Sequence, residues 1–153
     1  MALYLVQHGL SLSKDKDPKQ GLSDTGIATT QRVAEVAKGY QLQVKAINHS
    51  AKKRAQQTAE LMATALSPPG NVAERAGLLP LDDVGQLAPT LATADQLMLV
   101  GHLPFMERLT SLLVTGNPDN LVFKFQNSGI VCLDQDPENL SWFIKWTLMA
   151  KID

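Results

Sequence analysis

The chain has 153 residues, 44% hydrophobic and 19% charged, and its 14 basic and 15 acidic side chains leave a formal charge of −1. That length suits one domain, residues 1–153, with a core of its own, and the charge carries no global signal for nucleic acid or an anionic membrane surface. A lone cysteine, Cys132, excludes an internal disulfide framework and any multi-cysteine zinc or iron–sulfur site. No apolar run reaches the roughly 20 residues of a membrane span. Met1–Val6 lacks a basic n-region before the polar Gln7-His8, so the expectation is a cytoplasmic protein with neither a nucleic-acid nor a membrane partner.

In chain order, residues 2–6 are short, apolar and partly β-branched and stop at His8-Gly9, which predicts a buried strand ending in a turn. Residues 10–21 are polar and contain Pro18 and Gly21, a loop in which Lys14-Asp15-Lys16-Asp17 is solvated. Ser23 offers an N-cap for a helix through Lys38, with Gly39 as its stop and Val33, Val36 and Ala37 as its inner stripe. Val44 to Asn48 predicts a second strand. Ser50 then caps a helix from Ala51 to Leu66, closed by Pro68-Pro69-Gly70. Residues 71–85 read as irregular, and helical character resumes over 84–94.

Leu97-Met98-Leu99-Val100 is the clearest buried strand and also ends in a Gly-His step. A helix over 104–114 follows, with Pro104 in its opening turn. Strands near 129–133 and 142–149 flank the hairpin turn Asp134–Asn139. Trp142, Phe143 and Trp146 serve strand packing there, and Cys132 is a small core residue. Strands alternating with helices predict an α/β fold: a three-layer α/β/α sandwich with a mostly parallel mixed sheet.

There are three histidines, and two of them, His8 and His102, each follow an apolar strand directly and stand beside a glycine. In open α/β sheets ligands bind beyond the carboxyl ends of the strands, so two central parallel strands would aim both imidazoles into one crevice. Gly9 lets the backbone turn there and lets neighbouring groups approach closely. Arg54 falls in the opening turn of the helix after the second strand, where free N–H groups, helix dipole and guanidinium together suit an oxyanion. Two imidazoles and one guanidinium at a single edge suggest a phosphoryl group held between them, with one imidazole as nucleophile. His49 lacks the strand-end glycine step and reads as structural or peripheral to the phosphate. No histidine spacing matches a metal-ligand pattern, so neither a metal nor another cofactor is expected.

These residues resemble the histidine phosphatase superfamily, with its phosphoglycerate mutase-like fold, and more narrowly its SixA-type phosphohistidine phosphatases. Gln7-His8-Gly9 stands where the family has Arg-His-Gly, and Leu22-Ser23-Asp24-Thr25-Gly26 resembles the segment that opens its first helix. Ser50-Ala51-Lys52-Lys53-Arg54-Ala55-Gln56-Gln57-Thr58-Ala59 resembles Ser-Pro-x-x-Arg-Ala-x-x-Thr-Ala, Val100–Pro104 resembles the second histidine motif, and Asn127-Ser128-Gly129 the step before a late strand. The resemblance implies that His8 is transiently phosphorylated, that Arg54 and His102 clamp the phosphate, and that water discharges the phosphoenzyme. Gln7, Gly9, Ser50, Asp83 and Ser128 complete the implied substrate-binding set.

Two departures matter. Gln7 can donate a hydrogen bond to a phosphoryl oxygen but offers neither charge nor a bidentate fork, a loss of about 1.5–3 kcal/mol; Lys52 or Lys53 could compensate, although both read as residues of a solvated face. Larger members of the superfamily protonate the leaving oxygen with a glutamate after the arginine motif. Here only Asp83, Asp82 and, less well placed, Glu74 are candidates. Without a general acid, typically worth ~10²–10⁴-fold, substrates with labile bonds such as phosphohistidine are favoured over sugar phosphates. The expected partner is a phosphorylated protein, such as a histidine-phosphotransfer domain, or a small phosphorylated metabolite. The competing readings are a non-catalytic phosphate-binding module, a small-molecule phosphomonoesterase and, disfavoured by the short chain, a mutase-like transferase.

Overall fold

Alternation along the first strand sets up the layers. In the computed structural model, which describes residues 1–153, β1 (Leu3–Gln7) turns Tyr4 and Val6 to one face and Leu3 and Leu5 to the other. Both faces are covered, which is why the strand reads as a continuous apolar run. The Tyr4/Val6 face packs on α1 (Asp24–Gly39) and α2 (Lys53–Leu66) through Val33, Ala37, Ala59 and Met62. The Leu3/Leu5 face packs on α3 (Val84–Leu87) and α4 (Phe105–Thr115) through Val84, Leu87, Phe105 and Leu109.

The remaining strands are β2 (Ala46–His49), β3 (Val72–Glu74), β4 (Leu97–Gly101), β5 (Ile130–Gln135) and β6 (Trp142–Leu148), in sheet order β3-β2-β4-β1-β5-β6. The first four run parallel, while β5 and β6 pair antiparallel. This is the expected three-layer sandwich with a mostly parallel mixed sheet. The helices after β1 and β2 cover one face and the helix after β4 covers the other, so the chain parts above the carboxyl ends of β1 and β4. No helix is long and apolar enough to cross a membrane.

Several expected boundaries shift, each for a local reason. The second strand begins at Ala46 and extends to His49. The second helix begins at Lys53, not Ala51, because Ser50 caps no helix: its hydroxyl is turned to His102, and the N-cap Lys52 makes no side-chain capping bond. Residues 71–85 contain β3, an edge strand of 3 residues whose Val72-Ala73-Glu74 has no apolar run to announce it. The helix expected over 84–94 is the 4-residue α3 followed by 3₁₀ turns at Ala88–Thr90 and Thr93–Asp95, since Pro89 supplies no N–H to continue an α-helical ladder. Pro104 is the N-cap of α4 rather than part of its first turn.

The loop over 10–21 is closed at its neck, where Leu12 N–H donates to Gly21 O at 2.8 Å and Ser23 N–H to Leu10 O at 2.9 Å. Asp17 in it is not freely solvated, because it accepts from Lys53 Nζ and from Gly21 N–H, both at 2.9 Å. In β6, a register shift opposite Cys132 and Leu133 changes which face the side chains meet. Trp146 packs with the α1 side, beside Tyr4, and Trp142 with the α4 side. Phe143 points outward and is exposed, contrary to the packing role read from sequence.

Candidate active site

Strand register brings the site together. Gln7 pairs with Gly101 between β1 and β4, so the next residues, His8 and His102, stand side by side. His49 pairs with Val100 between β2 and β4, so Ser50 lies beside the Gly101-His102 step. Adjacent strands lie about 4.8 Å apart, and the two imidazole rings accordingly sit with centroids 5.0 Å apart, tilted by 58°.

His8 Nδ1 lies 2.7 Å from the Gly9 carbonyl oxygen, which only accepts. Nδ1 therefore carries the proton, and Nε2 keeps its lone pair. The loop is held rigidly: Gly9 N–H donates to Thr58 Oγ1 at 2.9 Å, and Asn127 Nδ2 donates to His8 O at 2.9 Å. A Cβ on Gly9 would come within 2.6 Å of Thr30 Oγ1 and 3.2 Å of Gly26 O, so glycine is needed for the close approach of α1. Burial and, to a smaller extent, the Arg54 charge lower the His8 pKa, against a raising effect of the Gly9 carbonyl. Its ring is thus neutral at neutral pH.

His102 is only 1% exposed. Its Nε2 meets Ser50 Oγ at 2.5 Å, and the same Oγ accepts a longer bond, 3.3 Å, from Lys52 N–H. Where the Ser50 hydroxyl donates its proton to Nε2, the ring is the tautomer that carries its own proton on Nδ1. That Nδ1 is buried and has no hydrogen-bond partner. Burial, then the charges of His8, Arg54 and Lys52, push the His102 pKa down to about 3. In that tautomer Nδ1 is a buried donor among positive charges, which calls for an anion.

Arg54, in the first turn of α2, is half-buried and forms none of the chain's ion pairs, which are Lys53–Asp17, Arg108–Asp119 and Lys145–Asp134. Burial lowers its pKa from the ordinary arginine value with no carboxylate to oppose the effect. Lys53 is committed to Asp17 and is unavailable as the compensating cation considered from the sequence; Lys52 is exposed and contributes to the field on His102.

The other sequence candidates have distinct places. Gln7 reaches a small pocket shared with Leu10, Thr29, Phe125 and Asn127, and its buried Oε1 has no partner. Ser128 is fully buried and holds the loop: its N–H donates to Gln7 O at 2.9 Å and its hydroxyl shares a 2.7 Å bond with Thr30 Oγ1 rather than facing the imidazoles. Asp83 is exposed and accepts from Gly85 N–H at 2.8 Å as the cap of α3, and Asp82 accepts from Leu79 N–H at 2.9 Å. Both carboxylates are engaged locally. His49 is buried against the Ser50 carbonyl through Nδ1 at 2.8 Å. No cluster of three or more His, Cys, Asp or Glu side chains is placed to hold a metal ion. Sequence reasoning assigned no role to Thr58 or Asn127, although both lie inside the motifs that flagged the site.

Residues 3–78 match the model of the histidine phosphatase superfamily (branch 1), a span that holds His8, Ser50 and Arg54 but stops short of His102. No curated protein matches the chain. Among solved structures, the protein histidine phosphatase SixA complexed with tungstate superposes with a TM-score of 0.84 at 23% identity, covering 98% of this chain and 97% of that one. A mutant phosphoserine phosphatase from Entamoeba histolytica bound to phosphoserine gives 0.73 at 16% identity, covering 98% of both chains. The mycobacterial glucosyl-3-phosphoglycerate phosphatase gives 0.69 at 15%, covering 95% of this chain and 97% of that one. At such identities the likeness is one of fold.

Proposed function

The chain belongs to the histidine phosphatase superfamily and is a phosphatase, and from that premise we propose that it removes the phosphoryl group from phosphohistidine in a protein, by way of a phosphohistidine on its own His8. The observation that carries this reading is the pair of imidazoles 5.0 Å apart, one with a directed lone pair and one with an unpartnered buried nitrogen, beside a guanidinium that no carboxylate neutralises.

In the first step His8 Nε2 forms a bond to phosphorus while the bond from phosphorus to the substrate's imidazole nitrogen breaks; the electron pair leaves with that nitrogen, and the substrate ring, protonated on its other nitrogen, departs as neutral imidazole. Arg54 and the His102 Nδ1–H bind the equatorial oxygens where charge gathers. In the second step water attacks phosphorus, the His8 N–P bond breaks, and phosphate departs with His8 neutral again. The lowered His8 pKa serves the first step by keeping the attacking ring neutral and the second by making His8 a better leaving group.

The substrate class follows from the leaving group. No carboxylate is paired with His8, His102 or Arg54, and the charges that act on the two rings are all positive or neutral. A site without a proton donor favours a bond that breaks readily, and an imidazole leaves phosphorus far more easily than an alkoxide. Turnover of phosphohistidine, an aryl phosphate and a sugar phosphate, compared in wild type and His8→Ala, tests this. Activity should fall in that order and vanish in the variant. A preference for the sugar phosphate would favour a small-molecule phosphomonoesterase, and phosphate binding without any turnover a non-catalytic module.

A further inference from the structure

Arg54 also lines a groove, about 1010 Å³ in volume, that extends beyond the residues used in the reaction just described. Its lining brings Lys14, Lys19, Lys52 and Arg54 together with Leu79 and Leu81 and holds no acidic residue. On a chain of formal charge −1, four cations free of any ion pair gathered in one groove form a marked local field. The two leucines differ in kind: Leu81 is 88% exposed and Leu79 37%, apolar surface that a free small anion has no use for. The loop bearing Lys14 and Lys19 is held in place, since its Asp17 is bonded to Lys53 on α2 and Leu22 N–H donates to Gln57 Oε1 at 2.7 Å.

We propose that this groove is the docking surface for the substrate protein, taking an acidic stretch beside the phosphohistidine against Lys14 and Lys19 and an apolar side chain of the same stretch against Leu81. The inference rests on the phosphoprotein reading above and adds what selects the partner. The lysines steer and orient the encounter, while the exposed leucine supplies the desolvated contact that sustains it. The same groove rejects basic partners by like charge.

Two synthetic peptides of equal length, each with one phosphohistidine, test it: one flanked by aspartates and a leucine, the other by lysines and a serine. Free phosphohistidine is the control. The acidic peptide should be hydrolysed with about tenfold higher kcat/KM, and Lys14→Ala/Lys19→Ala should remove most of that preference, as should about 0.5 M salt. Leu81→Ser should lower kcat/KM for the acidic peptide alone. Free phosphohistidine should be hydrolysed at the wild-type rate by every variant. Equal rates on the two peptides, or a preference that survives in the double lysine variant, would overturn the proposal. Binding of the unphosphorylated acidic peptide, followed by fluorescence anisotropy, reads the groove apart from turnover. It should weaken about fivefold in the double lysine variant; unchanged binding there overturns the groove, whereas failure to hydrolyse any phosphohistidine overturns only the activity on which it rests.

Discussion

Replacing Ser50 with alanine isolates the link between His102 and the phosphoryl group. The Ser50 hydroxyl is fully buried and lies 2.5 Å from His102 Nε2. Its removal leaves that nitrogen without a partner in a ring 1% exposed, a desolvation cost of about 1–3 kcal/mol of folding stability. The second consequence is chemical: with Nε2 released, the ring can protonate there instead of on Nδ1 and turn an acceptor toward the substrate anion. Deleting one oxyanion donor typically costs ~10²–10³-fold in rate, and misdirecting one should cost less, about tenfold in kcat/KM. Thermal unfolding with and without phosphate separates the two effects. Phosphate bound to wild type raises the midpoint by mass action, and Ser50→Ala should lower the unliganded midpoint and also shrink the phosphate-induced rise. A variant that melts lower yet keeps the full phosphate-induced rise and kcat/KM within twofold would refute the tautomer argument and leave Ser50 a packing residue.

Acid stability should report His102 as well. Its pKa falls from 6.5 to about 3 on folding, so as pH drops below the unfolded value the unfolded chain takes up a proton that the folded chain refuses, and stability declines until the folded value is reached. The slope from this one group is at most about 1.4 kcal/mol per pH unit, and denaturant titrations between roughly pH 6 and 4 should show it reduced in His102→Asn. An identical slope in the variant would mean that His102 titrates normally. Gln7→Arg should raise turnover several-fold by adding charge-assisted bonds to the phosphoryl oxygens. Unchanged or lower kcat would show a site organised around the amide.

How much was legible beforehand depends on what kind of signal each residue carries. His8 and His102 were visible because a polar residue ending an apolar run beside glycine is a local pattern, and the parallel register then placed them together without further information. Arg54 was visible because a helix start is also local. Ser50 is legible through the motif it opens, but serine before a helix also reads as a cap, and only the neighbouring strand shows that its hydroxyl belongs to a histidine 52 positions away. The Asp17–Lys53 pair, 36 positions apart, was hidden in what looked like a solvated charge run, and its formation is what removes Lys53 from the phosphate site. Strand β3 takes its existence from pairing with β2 rather than from its own residues. The β6 register shift leaves no mark in the sequence, because Trp142, Ile144 and Trp146 keep an unbroken alternation while the faces they meet change.

The account turns on His8 as the atom that takes the phosphoryl group. Mixing the protein with phosphohistidine, quenching in alkali within one turnover and locating the label by mass spectrometry reads this directly. The expected result is a single phosphoryl adduct on His8, stable in base, lost in acid and absent from His8→Ala. Turnover with no adduct on His8, or with the label on another side chain, would contradict it.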